Sequence, residues 1–66
     1  MMLNKKTVFR TISFANYPGL DDYPKHLPLP RKDDIIQLNG KCGLVSVVKH
    51  MTEGNVTEIK IICISL

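Results

Sequence analysis

Cysteine and histidine are the residue types in this chain that could support nucleophilic or metal chemistry, and each occurs twice. A catalytic thiol needs a nearby histidine, but Cys42 and His50 lie roughly 26 Å apart if both stand on one extended strand at about 3.3 Å per residue. His26 is not held apart in this way, yet one thiol and one loop histidine make no recognisable catalytic motif. A zinc site that adds Cys63 lacks the closely spaced ligand pairs of such sites. We therefore predict that the chain is not an enzyme and uses no metal, cofactor or small-molecule substrate.

The aspartates stand in adjacent pairs, Asp21 with Asp22 and Asp33 with Asp34. Neighbouring side chains point to opposite sides of an extended chain, so neither pair forms a general acid and base. We expect Asp34 to mark the start of a strand, where its carboxylate accepts hydrogen bonds from free backbone N–H groups. No glycine-rich loop precedes a helix, so the pattern of a phosphate site is missing as well.

The elements that must position these residues are strands. Ten of the twelve Ile and Val residues lie between Ile35 and Ile64, which favours a sheet in the C-terminal half. Alternation of apolar and polar residues predicts a first strand over residues 7–15. Residues 16–33 hold all four prolines and the turn signal Pro18-Gly19, so we expect an ordered Pro-rich loop there, without a regular strand.

Turn signals divide the C-terminal half into a meander of three strands, at about 34–38, 41–51 and 56–65. Asn39-Gly40 suits the positive φ angles of a type I′ hairpin turn, which places Leu38 opposite Lys41. Thr52-Glu53-Gly54 suits a three-residue hairpin loop with glycine in the left-handed position.

The register of the second hairpin decides which side chains face the core. We expect Val47 to pair with Ile59 and Val45 with Ile61, because this register separates the side chains best into two faces. One face then carries Ile36, Leu38, Val45, Val47, Ile59, Ile61 and Cys63. The opposite face also carries apolar residues, namely Ile35, Leu44, Val48, Val56, Ile62 and Ile64. Either the sheet curls into a small barrel closed by the first strand, with the loop over one side, or the second face packs on another molecule.

The run from Pro30 to Lys41, followed by Val45–Val48, is similar to the opening of many small barrels of the Src-homology type. In those barrels a proline and an acid precede a strand, a tight turn and a valine-rich strand. The resemblance implies an architecture but no functional residue, since such barrels bind proteins, peptides and nucleic acids. We predict one small all-β domain over residues 1–66, an antiparallel meander or barrel of about four strands.

The net charge of +3 comes mostly from the first ten residues, where Lys5, Lys6 and Arg10 meet no acid. These residues include no apolar signal segment, and the longest apolar run, Ile61–Ile64, is too short to cross a membrane. We therefore expect a cytoplasmic protein with free thiols and no membrane contact.

A small non-catalytic interaction module is the function that these patterns favour. Such a module, an adaptor or inhibitor, would bind a protein partner or self-associate as a homo-oligomer through its apolar sheet face and the Tyr/Pro loop. The loop residues assigned to partner binding are Tyr17, Tyr23, Leu27, Leu29, Arg31 and Lys32. The alternative is a basic barrel that binds single- or double-stranded nucleic acid. Its phosphate contacts would come from Lys5, Lys6, Arg10 and Lys25.

Overall fold

A computed structural model describes residues 7–66, which form a single five-stranded sheet curled into a half-barrel. The strands are β1 (Thr7–Phe14), β2 (Tyr17–Asp22), β3 (Ile35–Leu38), β4 (Lys41–Glu53) and β5 (Val56–Ser65). Their spatial order is β2-β1-β5-β4-β3. The predicted all-β class is confirmed, and the strands predicted at 7–15, 34–38, 41–51 and 56–65 correspond closely to β1, β3, β4 and β5.

The antiparallel meander β3-β4-β5 is present, and its first turn is the predicted one. Leu38 pairs with Lys41, and Ile36 pairs with Gly43. Asn39 and Gly40 have φ angles of 52° and 80°, as a two-residue turn with two positive φ angles requires. The local sequence therefore specified this hairpin correctly.

The second turn is shorter than predicted. Glu53 pairs directly with Val56, so the turn consists of Gly54 and Asn55 alone. The predicted pairs of Val47 with Ile59 and Val45 with Ile61 are both wrong. Val45 instead pairs with Cys63 and Val47 with Ile62, which leaves Ser46 as an extra residue in a β-bulge.

The bulge at Ser46 exchanges the faces of two neighbouring valines. Because the extra residue breaks the alternation of side chains, Val47 points away from the core and is 42% exposed. Val48 takes the place predicted for Val47 and packs against the core cluster. Most of the predicted core holds, since Val45, Ile59, Ile61 and Cys63 are buried and Ile36 and Leu38 pack against the same cluster.

β1 joins the meander by pairing in parallel with β5, from Thr7 opposite Val56 to Phe14 opposite Cys63. Ile12 and Phe14 enter the core and are 0% and 2% exposed. The face that carries these residues is called the inner face here, and the opposite face of the sheet the outer face.

The predicted loop over residues 16–33 is wrong in its first third, where β2 pairs with β1. The β1–β2 turn falls at Ala15 and Asn16, because Phe14 pairs with Tyr17. Pro18 and Gly19 stand in an irregular stretch of β2, between Tyr17 opposite Phe14 and Asp21 opposite Ile12. An edge strand tolerates proline, and a bulge tolerates the positive φ of 101° at Gly19.

Candidate interaction surfaces

Five apolar side chains form a continuous patch on the outer face of β3, β4 and β5. Ile35 pairs with Leu44, and Leu44 pairs with Ile64. Val47 and Ile62 form the adjacent pair. Ile35 is 66% exposed and Ile64 is 52% exposed, while Leu44 and Ile62 are half-buried. We call these five residues the outer apolar patch.

Toward the β4–β5 turn, the outer face carries charged as well as apolar side chains. Lys49 lies opposite Lys60, and Met51 lies opposite Glu58. Glu58 also accepts a hydrogen bond of 3.4 Å from the Thr11 hydroxyl on β1. This half of the outer face therefore combines charges with exposed apolar side chains, namely Phe9, Met51 and Val56.

The loop between β2 and β3 covers the inner face. Tyr23 is only 7% exposed and belongs to the core cluster. Its hydroxyl donates a 3.1 Å hydrogen bond to the Pro28 carbonyl. Leu29 packs against the same cluster, and Pro30 is buried. Tyr23 and Leu29 thus fix the loop to its own domain.

Arg10 is the second anchor of this loop. Its Nη1 donates to the Leu27 carbonyl at 2.9 Å and to the Lys25 carbonyl at 3.3 Å. Its Nε is buried and has no hydrogen-bond partner among residues 7–66. The guanidinium predicted to contact phosphate is therefore already engaged with backbone carbonyls.

Tyr17 lies at the other end of the sheet, in a cluster that links β2 to β4. Its ring meets Phe14 edge to face, with centroids 6.4 Å apart. The Lys41 ammonium stands 5.4 Å from the Tyr17 ring centroid and forms an ion pair with Asp21. Because Lys41 begins β4 and Asp21 belongs to edge strand β2, this contact bridges the open side of the half-barrel.

The remaining loop candidates lie at the surface. Leu27 is 38% exposed, and Arg31 and Lys32 are exposed. The Asp34 carboxylate accepts the Arg31 N–H at 2.8 Å, so it satisfies a backbone N–H just before β3, as expected for this position. Lys25 is exposed in the same loop, whereas Lys5 and Lys6 lie outside the described residues.

The structure does not gather the cysteines and histidines. Cys63 faces the core, where burial raises the pKa of its thiol above the ordinary value, while Cys42 lies on the outer face. His26 is exposed in the loop and His50 is exposed on β4. Within residues 7–66, no three His, Cys, Asp or Glu side chains come together as a possible metal site. Over the same residues, no helix reaches the length and apolar character that a membrane crossing requires.

Sequence reasoning missed two features of these surfaces. Val47 was assigned to the core because nothing in a run of valines marks the bulge at Ser46. Lys41 and Asp21 were not linked, because they lie 20 residues apart and meet only when the sheet curls. By contrast, the alternation of apolar residues correctly predicts the outer-face positions of Ile35, Ile62 and Ile64.

Comparison with models of protein families, with curated proteins and with solved structures finds no match to this chain. The Src-homology resemblance thus stays a prediction about architecture. The fold and its surfaces define a small all-β half-barrel with a capped inner face and an exposed apolar outer patch.

Proposed function

We propose that this chain is a non-catalytic interaction module that binds a protein partner through the outer apolar patch. The observation that carries the proposal is that the loop covers one face of the sheet and leaves the other exposed. The loop caps the inner face with Tyr23, Leu29 and Pro30. None of the described residues gives the outer patch comparable cover, and Ile35 stays 66% exposed.

An apolar surface of this kind gains free energy when a partner removes it from water. Each square ångström of apolar area that is buried contributes about 25 cal/mol. Contiguous exposed apolar patches on small soluble domains are typical of binding sites. Ile35 and Ile64 also present β-branched side chains with few rotamers, so little side-chain entropy is lost on binding.

Site-specific photo-crosslinking tests the proposal in the cell. A photoreactive residue replaces Ile64 in the patch, and a matched control carries it at His26, which is exposed on the loop. We expect a discrete adduct with one protein from position 64 and none with that protein from position 26. Mass spectrometry of the adduct identifies the partner.

The purified partner then provides the quantitative test. A charge in the centre of an apolar interface is desolvated without a counter-ion, so Ile64→Glu should weaken binding by about tenfold or more. Lys25→Glu changes a charge outside the patch and should leave the Kd nearly unchanged. Equal affinities of wild type and Ile64→Glu would contradict the proposal.

A further inference from the structure

β4 has an open edge beyond its pairing with β3. On one side β4 pairs with β5 along almost its whole length, down to Glu53 opposite Val56. On the other side, β3 reaches only Leu44, and backbone bonds with Asp33 and Asp34 extend the contact to Val45. From Ser46 to Glu53, no described strand pairs with this second side.

The turn geometry determines which backbone groups point to the open edge. Glu53 and Val56 flank a two-residue turn, and such a pair exchanges both of its backbone hydrogen bonds. The direction of backbone hydrogen bonding alternates along a strand, so the N–H and C=O groups of Met51 and Lys49 also point toward β5. The intervening residues, Thr52 and His50, therefore direct their N–H and C=O groups to the open edge.

Along this edge, Lys49 and Glu53 carry opposite charges and lie two residues on either side of Met51. Lys49, Met51 and Glu53 all lie on the outer face and are exposed. Lys49 stands opposite Lys60, and like charges at directly opposed positions are destabilising. In the part of the chain that the structure describes, the ion pair found is Lys41 with Asp21, so Lys49 and Glu53 have no such partner.

We propose that a second copy of this chain pairs with the open edge of β4, antiparallel and centred on Met51. In this register, Lys49 of each copy lies opposite Glu53 of the other, which gives two reciprocal ion pairs. His50 of one copy lies opposite Thr52 of the other, and the two exchange backbone hydrogen bonds, because the N–H and C=O groups of both residues point to the open edge. The two Met51 side chains meet at the two-fold axis.

Charge complementarity selects this register over the nearest alternative. Pairing centred on His50 would use the same backbone groups, because the residues whose N–H and C=O groups point to the open edge would again lie opposite one another. It would, however, place Lys49 opposite Met51 and Glu53 opposite Val47. Neither charge would then gain a counter-ion, so the arrangement centred on Met51 is favoured.

The inference goes beyond the proposed function, since it concerns an edge of the sheet and a second copy of this chain. A two-fold axis perpendicular to the sheet would join two half-barrels into one continuous sheet. Both outer apolar patches would then lie on the same face of the dimer. A partner with two apolar sites would bind such a dimer with increased avidity.

The first test is the mass of the purified chain, measured by sedimentation over a wide concentration range. We expect a monomer of 7.5 kDa at low concentration and a dimer at high concentration. Lys49→Glu and Glu53→Lys each turn both attractive pairs into repulsive ones, so each should weaken dimerisation by about tenfold. An equimolar mixture of the two variants restores complementary pairs and should form a heterodimer with wild-type affinity.

A disulfide test determines the register independently of affinity. In a Cys42→Ser background, Met51→Cys places two thiols directly opposite each other, at a separation that a disulfide can span. Copper phenanthroline should therefore crosslink Met51→Cys rapidly. Lys49→Cys, which faces Glu53 of the other copy, is the matched control and should crosslink slowly.

Three results would overturn the inference: a monomer at every concentration, dimerisation that both charge variants leave unchanged, or faster crosslinking at position 49 than at 51. Ile64→Glu separates the inference from the proposed function. It should weaken partner binding by about tenfold or more and leave the dimer intact. Loss of the dimer in Ile64→Glu would show that the copies associate through the outer apolar patch instead.

Discussion

Gly43 stands where the core leaves no room for a side chain. A Cβ atom at this position would lie 2.9 Å from the Cys63 Cβ and 3.0 Å from the Phe14 ring. Phe14 is itself buried, at 2% exposure, so the ring has little freedom to move aside. The aromatic ring packs over the glycine and compensates for the missing side chain in β4.

We expect Gly43→Ala to lower the free energy of unfolding by about 1–3 kcal/mol, because the added methyl group overpacks the core. Urea denaturation followed by circular dichroism measures the change. Phe14→Leu in the same chain frees space, so the double variant should lose less stability than the sum of the single variants. Strictly additive losses would show that the ring and the glycine do not interact.

The two cysteines should differ sharply in reactivity. Burial raises the pKa of the Cys63 thiol, so its reactive thiolate is scarce at pH 8, and the sulfur is also inaccessible. Cys42 is only half-buried on the outer face. Iodoacetamide should therefore modify Cys42 well before Cys63 in the folded protein, as followed by mass spectrometry. In urea the two rates should become similar, and equal rates without denaturant would contradict the core position of Cys63.

At the scale of the strand, Ser46 determines how β4 presents its side chains. Val45 and Val48 both face the core, although an unbroken strand would place residues three apart on opposite faces. The bulge absorbs the extra residue and bends the strand. It also brings Val47 into the outer apolar patch.

Deletion of Ser46 should leave a folded protein. Without the extra residue, Val45, Val47 and Val48 keep their present partners Cys63, Ile62 and Ile61 in a regular ladder. We expect a near-native circular dichroism spectrum and a modest loss of stability, because the strand loses its bend.

Deletion of Val45 is the matched control. It also removes one residue from the bulged stretch, but it leaves Ser46 to take the place of Val45 opposite Cys63. A hydroxyl then replaces a valine that is 0% exposed, which is costly in the core. This variant should be clearly less stable than the Ser46 deletion, and equal stabilities would contradict the assignment of Ser46 as the extra residue.

Strand β2 shows why the second element could not be predicted. Tyr17–Asp22 contains Pro18 and Gly19, which normally end a strand. The strand forms because it needs to pair on one side only, with β1, and because its irregular stretch accommodates both residues. Local sequence does not report that a segment will lie at the edge of a sheet.

At the scale of the whole molecule, the arrangement of charge bears on the nucleic-acid alternative. Arg10 is engaged by the Leu27 and Lys25 carbonyls, and Lys41 is paired with Asp21. We therefore expect only weak association with single- or double-stranded nucleic acid. Fluorescence anisotropy at low and moderate salt measures it.

Tight binding that falls steeply with salt would favour the alternative over the interaction module. Substitution of Lys5, Lys6 and Lys25 by Gln would then reduce both the affinity and the slope of its salt dependence. Arg10→Gln is not a clean probe, since it also releases the loop.

The sequence by itself determined the all-β class, the Asn39-Gly40 hairpin and most of the core, because turn chemistry and alternating side chains act over a few residues. It also indicated that two faces of the meander are apolar. Only the tertiary structure decided the parallel pairing of β1 with β5, the bulge at Ser46 and the bridge from Lys41 to Asp21. Each depends on contacts between segments that are distant in sequence, and a local sequence pattern does not report the free energy of such contacts. The choice of which apolar face the loop covers, and hence which face stays exposed, belongs to that second group.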